Sequence, residues 1–141
     1  MDTKRLKRYK EKLDLIEKRL DELTEWKESF LSDEKSKLAS YKAFQEIVEA
    51  SMDIIAMIIK DENLVPKDDY SNIDLIAENK LLTDDLCIAL RDMNGLRNRV
   101  IHEYNALSDK RALESINNLV SEIIVFMEDV EIWLKEKNSK N

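Results

Sequence analysis

Apolar residues recur at helical spacing along most of the chain. Leu6, Tyr9, Leu13, Ile16, Leu20, Leu23 and Phe30 alternate in steps of three and four, with Lys27 at the one interrupted position and Trp26 beside it. This heptad stripe predicts a first helix over residues 3–31, able to pack inside a bundle or against a partner helix. Ser32 and Asp33 supply a break and an N-cap. A second helix follows to residue 60, with a stripe of Leu38, Tyr41, Phe44, Ile47, Val48, Met52, Ile55 and Ile59. Ile54, Met57 and Ile58 widen its apolar face. A helix apolar around most of its circumference is central or shared with another subunit.

Residues 61–69 read as a loop, because Pro66 blocks helix continuation. A short third helix over residues 70–79 carries Ile73, Ile76 and Ala77. Thr83 caps a fourth, with Asp84 and Asp85 at its positive end. Leu86, Leu90, Met93, Leu96 and Val100 form its inward stripe. Gly95 lies inside this helix at a cost of about 1 kcal/mol relative to Ala, which predicts a close helix contact or substrate approach there. Ser108 opens a fifth helix to residue 135, with Ile116, Leu119, Val120, Ile123, Ile124, Met127, Val130 and Trp133 on its apolar face. The pattern predicts an all-α, up-and-down antiparallel bundle of about five helices. Residues 1–135 form one domain and 136–141 a polar tail.

Composition narrows the range of functions. One Gly and one Pro favour long helices, and no apolar run is long enough to span a membrane. The N-terminus lacks the apolar core of a signal peptide, and the single Cys87 suits a reducing, cytoplasmic setting. A net charge of −7 argues against a broad, sequence-blind nucleic-acid binder. Between residues 91 and 111 the sign reverses. Arg91, Arg97, Arg99, Lys110 and Arg111 face Asp92, Glu103 and Asp109, a local balance of +2.

That basic stretch contains His102, the one histidine. His can move a proton near neutral pH, and Arg presents a planar fork to phosphate oxygens, so together they suit chemistry at a phosphodiester. Arg97 and His102 are five residues apart, about 140° around an ideal helix, and do not share a face. Either the helix ends or distorts near His102, or the working site combines two chains. Asn98, four residues before His102, is placed to bond the imidazole. The plainer reading is a charge–dipole contact of His102 at a helix end beside solvated arginines. No cluster of metal ligands is evident; Asp84 and Asp85 have a sufficient role in the first turn of a helix.

Arg97, the polar Asn98, three further residues, His102, one residue, then Tyr104 resembles the signature of HEPN-domain ribonucleases. The His-x-Tyr ending is similar to the HepT-like toxins of prokaryotic toxin–antitoxin pairs. The second helix, from Tyr41 through Phe44 and Val48 to Ile54, resembles that family's long helix. Pro66-Lys67-Asp68-Asp69-Tyr70 resembles its Pro-x-x-x-Tyr connector. The likeness spans residues 36–130 in order.

This resemblance implies a metal-independent endoribonuclease toxin that needs no cofactor. His102 would act as general base on a ribose 2′-hydroxyl. Arg97 would stabilise the transition state, Asn98 would position the site, and Arg99 and Arg91 would touch RNA. It further implies a homodimer with both motifs facing one cleft. Its partner would be a cognate minimal nucleotidyltransferase antitoxin that transfers AMP to Tyr104. Two alternatives stay open: a non-catalytic HEPN-type binding subunit of a nucleotidyltransferase, of a kind that typically lacks the Arg and His, and a purely structural bundle.

Overall fold

Each helix begins where the sequence offers a side-chain oxygen to an unpaired backbone N–H. Asp2 accepts from the Arg5 amide and opens α1, Thr3–Trp26. Asp33 accepts from Ser36 and opens α2, Glu34–Asp61. Asp68, Thr83 and Ser108 do the same for α3 (Asp69–Glu78), α4 (Asp84–His102) and α5 (Asp109–Ser139). Each such cap contributes on the order of 1 kcal/mol. The computed structural model describes residues 1–140, and those residues contain no strand.

The element boundaries depart from expectation at two ends. α1 stops at Trp26 and tightens into a 3₁₀ turn, Lys27–Ser29. α5 continues through Ser139, so most of the expected polar tail is helical; Asn141 lies outside the described residues. The ends of α2 and α3 share one device. Asn63 and Lys80 adopt φ of 63° and 53°. The amides of Leu64 and Leu81 then reach back to the carbonyls of Ile59 and Ile76 at 3.0 Å, closing Schellman turns. Asn tolerates that left-handed backbone, whereas Lys80 holds it at a steric cost.

α2 is the central helix. Phe44, Ile47, Val48, Ile54, Ile55, Ile58 and Ile59 are all 0–1% exposed. The apolar width of Ile54, Met57 and Ile58 is therefore consumed inside one chain, because α1, α3 and α4 all pack against α2. It supplies no ground for a dimer. Polar ties fix the directions of the helices. Lys12–Asp53 and Arg19–Glu46 bind α1 antiparallel to α2. Lys10–Glu131 and Lys27–Asn117 bind α1 antiparallel to α5. Lys27, the interruption in the α1 stripe, is thus an inter-helix contact.

Arg91–Asp74 and Arg97–Asp69 set α3 antiparallel to α4. At one pole, Tyr9 donates to Asp61 at 2.6 Å beside Arg5, and Trp133 donates to Glu62 at 2.9 Å. Burial and the Asp61 carboxylate push the Tyr9 phenol well above its ordinary range.

Candidate active site

The sequence motif lies at the other pole, where α4 runs out. The helix stays regular as far as His102, its last residue. The chain then turns through Glu103 (φ −126°, ψ 26°) into a 3₁₀ turn, Tyr104–Ala106, before Ser108 restarts helix. Ending there does not bring Arg97 and His102 together, because regular helix carries His102 about 140° round from Arg97. The imidazole is exposed and takes part in no hydrogen bond among the described residues. Asn98 is half-buried and makes no bond to it.

Arg97 points toward α2 and α3. Its Nη2 donates to Asn94 Oδ1 at 2.8 Å and to Asp69 Oδ2 at 3.1 Å, and its Nη1 faces Glu49 Oε1 at 3.7 Å. Its side chain is 15% exposed, and its buried Nε has no acceptor. Asn94 is itself fully buried. Three helices thus fix the guanidinium by hydrogen bonds and ion pairs that involve charged groups, the stronger class. Sequence reading missed all three anchors. Asn94 was visible in principle, lying three residues before Arg97 on one helix face. Glu49 and Asp69 reach the site through the fold alone.

On an ideal helix, Arg91, Gly95, Arg99 and His102 fall within a sector of about 80° on the outward side of α4. Arg91 pairs with Asp74 and lies over the Tyr70 ring at 5.8 Å, so its charge is already engaged. Arg99 is exposed, and it is the arginine that shares the imidazole's side. Along this sector α4 and α5 leave a groove of about 370 Å³ lined by Arg91, Gly95, Arg99, Ser115 and Asn118. A Cβ at Gly95 would meet the Tyr70 hydroxyl at 3.5 Å, an ordinary contact, so packing within the chain does not require glycine. A larger cavity of about 450 Å³, lined by Thr83 and Asp129 among others, sits at the far end of α4, roughly 27 Å from His102. It contains no part of the motif.

Tyr104 stands on the 3₁₀ turn, partly exposed. Its ring meets Tyr41 edge-on at 5.7 Å, and the Lys37 ammonium lies 5.9 Å from its centroid. Asp109, at the start of α5, ties both neighbours down, accepting from the Tyr41 hydroxyl at 2.7 Å and from Lys37 Nζ at 3.1 Å. Burial, then the bond to Asp109, raises the Tyr41 phenol pKa, so Tyr41 stays a donor. Burial also pushes the Cys87 thiol up, consistent with an inert core residue. No group of three or more His, Cys, Asp or Glu among the described residues is arranged to hold a metal ion. No described helix is long and apolar enough to cross a membrane.

Comparison with known proteins bears on this arrangement. The family model described as ribonuclease HepT-like matches residues 9–130. A protein of Archaeoglobus fulgidus described as a candidate RNase is 31% identical over 135 residues, covering 94% of this chain and 97% of the relative. The tRNA nuclease HepT of Aphanizomenon flos-aquae is 24% identical over 137 residues, covering 92% of each. Among solved structures, the tri-AMPylated HEPN toxin of Shewanella oneidensis in complex with its MNT antitoxin superposes with a TM-score of 0.83. That match is at 20% identity and covers 94% of this chain and 99% of the other. The fold is that of HEPN toxins, and the chain belongs to the HepT-like ribonuclease family.

Proposed function

We propose that the chain is a metal-independent endoribonuclease toxin whose activity is switched off by AMP transfer to Tyr104. The observation that carries this reading is the unpaired, exposed imidazole of His102 at the end of a helix whose Arg97 is rigidly held. His102 takes the proton of a ribose 2′-hydroxyl. The 2′-oxygen attacks the adjacent phosphorus, the bond to the 5′-oxygen breaks, and that oxygen takes a proton from water as it leaves, giving a 2′,3′-cyclic phosphate. Arg97 presents its Nη1 edge, held only by the longer ion pair to Glu49, to the charge that builds on the phosphate oxygens. Asn98 lines the same helix end, and Arg99, on the side of His102, holds a neighbouring phosphate.

One chain places Arg97 and His102 on different sides of α4, so the working cleft takes one group from each of two copies. Ile101, next to His102, leaves apolar surface 43% exposed at that end of α4, available to such an interface. The regulatory partner is a minimal nucleotidyltransferase. The Shewanella oneidensis toxin was solved in AMP-modified form with such an antitoxin. The test is cleavage of a defined RNA by the purified, unmodified chain in excess chelator. Products ending in 2′,3′-cyclic phosphate, lost in His102→Ala, are expected. Cleavage that stops with chelator and returns with a divalent ion would overturn the mechanism.

A further inference from the structure

We propose that Lys37 is the anion seat for the phosphate carried by modified Tyr104, with Tyr41 and Asp109 holding that seat in place. The inference rests on the reading of Tyr104 as the modified residue and adds the group that receives the modification. Nothing in the motif points to Lys37, which lies sixty-seven residues upstream on the first turn of α2.

The geometry is specific. Tyr104, 36% exposed, sits against two side chains of α2, its ring steeply inclined to that of Tyr41 with centroids 5.7 Å apart. Lys37 makes the ring's other contact, with its side chain 21% exposed. One of its three N–H donors is used by Asp109, which leaves two for a new acceptor. The Tyr104 hydroxyl takes part in no hydrogen bond among the described residues, so it has no competing bond to give up.

In the modification, Tyr104 Oη attacks the α-phosphorus of a nucleoside triphosphate. The new O–P bond forms as the bond to pyrophosphate breaks, and the phenolic proton leaves to solvent. The product is a phosphodiester with one negative charge, carried on a ring whose centroid lies 5.9 Å from the Lys37 ammonium. Asp109 also faces this space, and Glu34 lies near enough to act on the Lys37 charge. Asp109, however, is held by the Tyr41 hydroxyl and by its position in the first turn of α5. Lys37 can therefore turn from Asp109 to the phosphate while Asp109 keeps its hydrogen bond from Tyr41. Modification would so exchange one ion pair for another and pin the nucleotide over the end of α4.

The seat can be tested without the transferase. Phosphotyrosine is placed at position 104 by amber suppression, and its second ionisation is followed by ³¹P NMR. With Lys37 present, that pKa is expected to lie about half a unit or more below that of a free phosphotyrosine peptide. It should return toward the peptide value in Lys37→Gln and stay low in Lys37→Arg. A value unmoved by Lys37→Gln, in protein whose melting temperature matches the parent, would overturn the seat.

A second arm uses intact mass after co-expression with the nucleotidyltransferase of the Shewanella oneidensis pair. AMP on Tyr104 at a rate about tenfold lower in Lys37→Gln is expected. Modification of the parent with no effect of Lys37→Gln counts against the seat. Modification that persists in Tyr104→Phe counts against the reading of Tyr104 and leaves the NMR result standing on its own.

Discussion

Replacing Asn94 separates what holds the fold from what serves the reaction. Asn94 is 1% exposed, and its Oδ1 accepts from Arg97 Nη2 at 2.8 Å. In Asn94→Ala the guanidinium loses its shortest bond and keeps Asp69 and Glu49. A hydrogen bond to a charged group contributes about 1.5–3 kcal/mol, so a loss of about 2 kcal/mol is expected. Unfolding entropy runs near 2.1 cal/mol/K per residue, about 0.3 kcal/mol/K for 141 residues, so the melting temperature should fall by roughly 7 °C.

Asn94→Asp keeps an acceptor at the same place and adds a third carboxylate around one guanidinium. Its melting temperature should stay within about 2 °C of the parent. Its RNA cleavage should fall about tenfold, because the introduced carboxylate neutralises charge that Arg97 otherwise offers to phosphate. Calorimetry and a fluorogenic RNA substrate read both effects. A melting temperature for Asn94→Ala within about a degree of the parent would show that the bond carries no weight. Full activity in Asn94→Asp would show that the Arg97 charge is not what the substrate meets.

Three further outcomes are expected. Gly95→Ala should raise stability by about 1 kcal/mol, since helix propensity favours Ala and the nearest contact is ordinary; a lower melting temperature would reveal a clash. Lys80→Gly should stabilise by about 1 kcal/mol by relieving the left-handed backbone at φ 53°, and an unchanged denaturation midpoint would contradict that. The N-cap carboxylates Asp33 and Asp68 are held below their ordinary range by bonds from Ser36 and Ser71. Their contribution is therefore present above the unfolded carboxylate pKa near ~3.9 and lost as pH falls through the lower folded values. Asp68→Asn should flatten that part of an acid melting series, and an unaltered slope would dismiss the role.

Much of the fold was legible because its signals are local. Asp33, Thr83 and Ser108 announce helix starts through chemistry within three residues, and the stripes from Leu6 to Phe30 and from Tyr41 to Ile59 declare which faces pack. The width of α2 was legible too, but not its cause. Ile54, Met57 and Ile58 satisfy equally a central helix and a subunit interface, and only the positions of α1, α3 and α4 decide between them. The motif could be read from spacing, including the angle of about 140° between Arg97 and His102. Its surroundings could not. Glu49, Asp69, Lys37 and Asp109 converge on Arg97 and Tyr104 from other helices, and residue spacing holds no trace of such meetings.

The bracing of Arg97 also sets an order of events during synthesis. Its two carboxylate anchors, Glu49 on α2 and Asp69 on α3, precede it in the chain, and Asn94 comes just three residues earlier. Domains emerge N-terminus first at about 5–20 residues per second, so every anchor has left the ribosome before the guanidinium appears. Arg97 thus emerges last, after the groups that will hold it. His102 follows within about a second, while Asp109, which secures the neighbours of Tyr104, follows later still. A nascent chain therefore exposes Arg97 and His102 before Asp109, the residue that ties down Tyr41 and Lys37 beside Tyr104. If the cleft needs a group from each of two copies, as proposed, the slower step is the meeting of two chains, and by then the last segment of each has already emerged.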